Sequence, residues 1–368
     1  MSSQKLNYIE SSLLVVIVTI THLILNMPNT LIESTGSSAI LNAIYITILA
    51  LIVFAIIKKL LKPFENNNIL YVAEYLGGKS LKSILTTLYL IHFIFTSGIL
   101  LRNFAETLKI IYFPQASLWT ILCAFLLVAL IVNLFGEKNV VKANTILMVP
   151  ILLTIVITAF SLMGKFEFNR VFPILGYGIN ETFISGATNI YAFSGILYLL
   201  LIKPNLKNSK NYSKVGYLSI IISGIYLILV ISALLMMFPY ISSGNETLSV
   251  YLSTRVIEYG KFMQRTDALY MFIWIFDFMS YLSVIILFIV QISKQSFKIK
   301  KSLFYNFIIA FVIFVVALLL TNTTEMIFFE TTIYKYSSLG LVFGLSFFIL
   351  LLGYLKKKKR KDYLNEIS

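Results

Sequence analysis

The sequence predicts an all-α integral membrane protein of ten transmembrane helices, arranged as two five-helix repeats of inverted topology. Three observations carry that prediction. Of 368 residues, 58% are hydrophobic and 12% charged, and the mean hydropathy is +0.88; a soluble domain carries about 25% charged residues. The apolar residues fall in long runs, and a span needs ~20 of them. Two of the runs, the first and the sixth, hold polar and helix-weakening residues at matching positions of two five-span halves.

The first run, at about 11–32, carries Thr19, Thr21, His22, Asn26 and Pro28, and the small residues Ser37-Ser38-Ala39 come late. It therefore reads as a retained span and not as a cleaved signal peptide. The others follow at about 38–57, 83–110, 117–135, 140–163, 181–202, 215–239, 266–292, 302–321 and 333–355. Runs this long and continuous fit helices and not barrel strands. Pro150 is expected to kink the fifth. The chain reads as a single polytopic domain over 1–368, with a first repeat at about 6–163, a second at about 170–355 and a basic tail at 356–368.

Lysine and arginine set the orientation. Lys5, the 58–82 loop, Lys138 and Lys142, the 203–214 and 294–301 loops and the tail K-K-K-K-R-K at 356–361 together hold 22 of the 30 basic residues. Ten spans with both termini in the cytoplasm place all of these on one side. The net charge of +14 then follows from topology and attraction to anionic lipid, and no nucleic acid partner is expected. The longest connection on the other side, 240–265, contains S-V-Y-L-S-T-R-V-I-E-Y-G-K-F, whose spacing fits a surface helix, either an ordered loop or a gating element.

One cysteine, Cys123, lies in an apolar run, so a disulfide framework or a Cys-based zinc site is not available. The chain contains no GxxxxGK[ST], HExxH, GxSxG or GxGxxG. Neither an enzyme nor a cofactor is expected.

The sixth run reads T-N-I-Y-A-F-S-G-I-L-Y-L-L over 188–200, with Asn189, Tyr191, Ser194 and Gly195 at its centre. The first reads T-I-T-H-L-I-L-N-M-P-N-T. Interrupted spans at equivalent positions of inverted repeats point to a midplane ligand site, where half-helix N–H groups meet a carboxylate and freed carbonyls meet an ammonium. The expected ligand-binding residues are Thr21, His22, Asn26, Tyr191, Phe193, Ser194 and Gly195, with Asp277 of span eight nearby. The competing reading is a packing span with a glycine contact and self-bonded hydroxyls.

Asp277 is the one acid placed deep in a span, at an insertion cost of ~2.5–3.5 kcal/mol. It is expected to meet a ligand ammonium, carry a proton or pair with His22. Ser280 and Ser283, further along, either ligate a cation or bond to i−4 carbonyls. His92 is expected to pack, and Arg102 and Glu106 to pair four residues apart.

Three further stretches are F-P-I-L-G-Y-G-I-N at 172–180, L-L-R-N-F-A-E-T-L-K-I-I-Y-F-P at 100–114 and M-Q-R-T-D-A-L-Y-M-F-I-W-I-F at 263–276. Their order and spacing, with the proline closing the first span, resemble the spore germination receptor B subunits over about residues 6–355. The resemblance implies the LeuT-like fold of the amino acid–polyamine–organocation transporter superfamily. It also implies a spore inner-membrane subunit that senses a small amino acid or similar nutrient together with A-type and C-type subunits. Relatives usually have glycines where this chain has Thr21 and Leu23, and an acid where Ile196 and Leu197 follow Gly195. An amino acid transporter coupled to H⁺ or Na⁺, or a scaffold with a vestigial site, are the alternatives.

Overall fold

The structure, a computed structural model, describes residues 5–24, 27–239, 249–257, 266–297, 299, 302–320 and 323–367. Asn26 and most of the 240–265 connection lie outside the described residues.

The first apolar run forms two helices, α1 (Tyr8–Ile24) and α2 (Met27–Thr35). Pro28 is the second residue of α2, where its missing N–H forfeits no helical bond. The second run is α3 (Ala39–Leu61). Next, α4 (Ile69–Ile111) opens on Asn68, whose side chain accepts from the Tyr71 amide, and bends at Gly77 and Gly78. Gly78 has φ +69°, a conformation that favours glycine. The bend separates a short first segment from the part of α4 that corresponds to the third span.

The fourth and fifth runs are α5 (Leu118–Leu134) and α6 (Glu137–Leu162), the latter continuing as helix through Pro150. The sixth run is not a regular helix. Asn180–Ile184 is a π turn and Ser185–Phe193 a 3₁₀ segment, followed by α7 (Ile196–Ile202) at a bend of 45°. Then come α8 (Tyr212–Met237), α9 (Ser249–Arg255), α10 (Thr266–Phe297) and α11 (Ser302–Leu319). The tenth run is α12 (Thr323–Phe328), a π turn over Phe329–Tyr334, α13 (Lys335–Ser338), a second π stretch over Leu339–Leu345 and α14 (Ser346–Ile367).

Each expected apolar run is therefore helical, but not each is long enough to span by itself. Among the described residues, six helices have the length and apolarity to cross a membrane, and the bent pair Asn180–Phe193 with Ile196–Asn205 makes a seventh. Tyr8–Leu23, Leu118–Leu134 and Leu303–Leu319 are shorter apolar helices at the remaining positions. The tenth span was expected at 333–355; the apolar helix instead runs Glu325–Lys359. It takes in Glu330, which is buried and accepts from Asn103 Nδ2 at 3.0 Å. Asp277 is thus not the one acid inside the bundle. A run-based reading stops at the charge, whereas the amide of Asn103 makes the charge tolerable.

The packing links equivalent runs of the two halves. The second packs on the seventh (α3 on α8), the third on the eighth (α4 on α10) and the fourth on the ninth (α5 on α11). α1 lies against α6, α8 and α10, which makes it the axis of the bundle. The basic segments gather at one end. Lys5 Nζ donates to the Pro204 carbonyl at 2.8 Å and Lys203 Nζ to the Leu61 carbonyl at 2.9 Å. There Lys356 Nζ donates to the Tyr75 carbonyl at 3.1 Å, at the end of the short segment that precedes Gly77.

Candidate functional site

The end of α1 and the breaks of the sixth and tenth runs bring polar side chains to one place. His22 comes from the last turn of α1, Ser194 from the step between the 3₁₀ segment and α7, and Tyr334 from the end of a π turn. The Ser194 and Tyr334 hydroxyls are 2.5 Å apart, and Tyr334 Oη is 3.4 Å from His22 Nε2. The rings of His22 and Tyr334 stack with centroids 4.7 Å apart and planes within 1°. His92, from α4, lies 6.0 Å from the same tyrosine ring at 16°, with its Nδ1 3.3 Å from the Ser337 hydroxyl. The chain has two histidines, and both converge on Tyr334.

Around this cluster lies a narrow space, about 240 Å³ including its open mouth, which Thr96, Tyr198 and Tyr281 also line. Side chains divide it so finely that it holds about one water molecule. Six of its ten lining residues carry rings. Two buried polar atoms in the lining, His22 Nδ1 and Tyr281 Oη, have no hydrogen-bond partner. Such atoms carry a desolvation cost of ~1–3 kcal/mol each, which a ligand with complementary groups would relieve.

Of the residues expected from sequence, His22 and Ser194 line this cavity, and Tyr191 reaches its edge, its ring 5.8 Å from that of Tyr334. Thr21 is buried and donates to its own i−4 carbonyl, Ile17, at 2.7 Å. Phe193 points elsewhere, into a small space between α1 and α8. Gly195 was expected where backbone approaches ligand, but a Cβ there would collide with the Thr19 hydroxyl of α1. Its smallness serves helix contact.

Asp277 does not line the cavity and is not paired with His22. It is buried near Thr21 and Tyr226, and its Oδ1 has no hydrogen-bond partner. The expected cation ligands have other occupations. Ser280 donates to Asn144 Oδ1 at 2.9 Å, and Ser283 to its i−4 carbonyl, Met279, at 2.8 Å. Arg102 and Glu106 do pair, at 2.8 Å.

The asparagine at the centre of the sixth run has a structural role. Asn189 Nδ2 donates to Asn42 Oδ1 at 3.0 Å, and Asn42 Nδ2 donates to the Thr182 carbonyl at 2.7 Å and the Gly186 carbonyl at 3.1 Å. A non-α segment lacks regular i−4 partners for its carbonyls, and Asn42 of α3 supplies donors in their place. Sequence reasoning missed Tyr334 and Tyr281 and assigned His92 to packing. A signal for Tyr334 was present: Glu330 and Lys335 flank it in an otherwise apolar run.

At the basic end a wider cleft, about 1830 Å³ including its mouth, opens between the start of α4, the α5–α6 turn, the end of the sixth run and α10. It is lined by amides, with Asn205 Nδ2 donating to Gln291 Oε1 at 3.0 Å and Gln291 Nε2 to Glu137 at 2.7 Å. Phe288 of its lining meets Tyr198 of the central cavity edge-on, centroids 4.6 Å apart.

Comparisons with known proteins agree with this architecture. The profile of the Spore_permease family, spore germination proteins, matches residues 5–326. The chain is 21% identical to the spore germination protein GerQB of Bacillus cereus over 290 residues, 78% of each chain. Its fold is similar to that of a Na⁺-coupled sialic acid symporter solved in a substrate-bound outward-open state. There the TM-score is 0.65 at 10% identity, over 96% of this chain and 89% of the other.

Proposed function

This chain belongs to the spore germination protein family, and from that premise we propose that it is a germinant receptor subunit whose central cavity binds a small nutrient, an amino acid or a similar molecule. The observation that carries the reading is the convergence of His22 from α1 with Ser194 and Tyr334, from the breaks of the sixth and tenth runs, on one cavity with two unpartnered polar atoms. The cavity is too divided for an amino acid as it stands, so a ligand must favour a more open arrangement. A differential affinity of ~1–3 kcal/mol between the two arrangements is enough to signal. On this reading A-type and C-type subunits receive the signal, the chain resides in the spore inner membrane with both termini in the cytoplasm, and the repeats run at about 6–163 and 170–355.

A second reading, an amino acid transporter coupled to H⁺ or Na⁺, is favoured by one observation: Phe288 of the basic-end cleft packs edge-on against Tyr198 of the central cavity. Radiolabelled amino acid uptake into proteoliposomes holding this chain alone, under imposed H⁺ or Na⁺ gradients, separates the two. The receptor reading expects no concentrative uptake. Gradient-driven accumulation that Ser194→Ala abolishes would establish the transporter.

A further inference from the structure

The cleft at the basic end shares no lining residue with the central space, and it has room. Water can fill about 750 Å³ of it. Pockets that take small molecules run to ~300–1000 Å³.

Its lining is rich in side-chain amides, and their bonds show what is left for a ligand. Asn68, at the start of α4, and Gln295 of α10 bond each other in both directions, at 2.9 and 3.3 Å. That pair is closed. Asn133, at the end of α5, gives its two amide protons to the Ala129 and Ser283 carbonyls, at 2.9 and 3.0 Å, which leaves its Oδ1. Asn306 of α11 is buried, and its Oδ1 has no hydrogen-bond partner among the described residues. Asn205 and Gln291 spend one amide proton each, on Gln291 and Glu137 in turn, and a primary amide has two. The cleft therefore offers carbonyl oxygens to N–H groups and amide protons to carbonyls. A peptide group carries one of each.

The charges narrow the choice. Glu137 lines the cleft, and so do Lys138 and Lys294. Both lysines are exposed, and neither makes an ion pair among the described residues. A simple anion leaves Glu137 and the amide oxygens unmatched, and a sugar matches neither sign of charge. A run of peptide groups with a free ammonium and a free carboxylate matches both. Leu201, Leu287 and Val290 give its side chains an apolar wall.

We propose that the basic-end cleft is a second ligand site and that it takes a short peptide with free ends. The terminal carboxylate meets Lys138 and Lys294, and the terminal ammonium meets Glu137. The peptide groups between them exchange hydrogen bonds with Asn133, Asn205, Gln291 and Asn306. The site does not depend on what the central cavity binds.

Trialanine, titrated calorimetrically into the purified full chain in a neutral detergent, tests this. Trialanine amide, which lacks the carboxylate, and sodium propionate, which lacks the peptide groups, are the controls. The expected result is saturable binding of trialanine, at least tenfold weaker for either control. Lys294→Gln and Asn306→Leu should each weaken it at least fivefold. Lys138→Gln, at a second exposed position, gives the same reading if the buried Asn306→Leu variant fails to fold. Propionate binding as tightly would make the cleft a general anion site, and trialanine amide binding as tightly would leave the lysines without a role. Either result, no saturable binding at all, or titrations unaltered by the substitutions would overturn the proposal.

Discussion

At the residue scale, the central cluster depends on the Tyr334 hydroxyl, which touches both Ser194 and His22. Tyr334→Phe keeps the ring stack and removes that oxygen, leaving the buried Ser194 hydroxyl without this partner at a cost of ~1–3 kcal/mol. The expected outcome is a germinant dose response displaced at least fivefold with normal membrane levels. Gly195 makes the opposite case. Its Cβ position is filled by Thr19, so Gly195→Ala should lower the unfolding midpoint in detergent, and Thr19→Ala added to it should restore most of the loss. Failure of that rescue would return Gly195 to a ligand contact. His22 and Ser194 were legible in the sequence because they fall at matching positions of the first and sixth runs, where the inverted repeat places a site. Tyr281 and His92 were not, and Tyr334 was marked only by its charged flanks, Glu330 and Lys335. A tyrosine or histidine in an apolar run packs as readily as it lines a site, and only the tertiary convergence of four helices tells which.

At the element scale, the interrupted sixth run is held by a side chain of the second run, Asn42, in direct contact with it. Asn42→Ala removes donors to the Thr182 and Gly186 carbonyls and the acceptor of Asn189. A loss of about 2–3 kcal/mol is expected, read as a lower unfolding midpoint, with the dose response shifted because the break is no longer positioned. The break itself was readable from Ser194 and Gly195, but its π and 3₁₀ character was not. That geometry is stabilised by Asn42, 147 residues from Asn189 in sequence.

The short helix α9 has a comparable anchor. Tyr251 Oη donates to Asp267 at 3.0 Å. Burial, then the hydrogen bond and negative charge of Asp267, hold this phenol above the usual tyrosine value. A phenol raised in the fold stabilises it below the unfolded value, near 10, and that contribution is lost as pH rises through the folded value. The midpoint difference between the native chain and Tyr251→Phe should therefore be constant below pH 10 and shrink above it. A difference that stays flat to pH 11 would mean that Asp267 does not hold α9.

At the scale of the whole molecule, hydropathy and charge carried most of the architecture. The apolar runs became helices, and basic segments from residue 5 to residue 357 meet at one end. Two features were not legible. The tenth span extends to Glu325 because buried amides accept charges that a hydropathy window rejects. The expected site also divides, with His22 and Ser194 lining the central cavity and Asp277 outside that lining. Proximity of two runs in the membrane does not say which face of α1 each residue takes. The orientation prediction follows from the clustered lysines. In a Cys123→Ala background, a cysteine in the 203–214 loop should resist an impermeant thiol reagent added outside, and its labelling there would invert the topology.

The central claim is that a nutrient binds among His22, Ser194 and Tyr334. Equilibrium binding of radiolabelled amino acids to the purified chain tests it most directly, with unfolding midpoints confirming that each variant is folded. The account predicts saturable binding of at least one amino acid, weakened fivefold or more by Ser194→Ala and by Tyr334→Phe and unchanged by Trp119→Phe on the exposed face of α5. Binding that both central substitutions leave intact would contradict it.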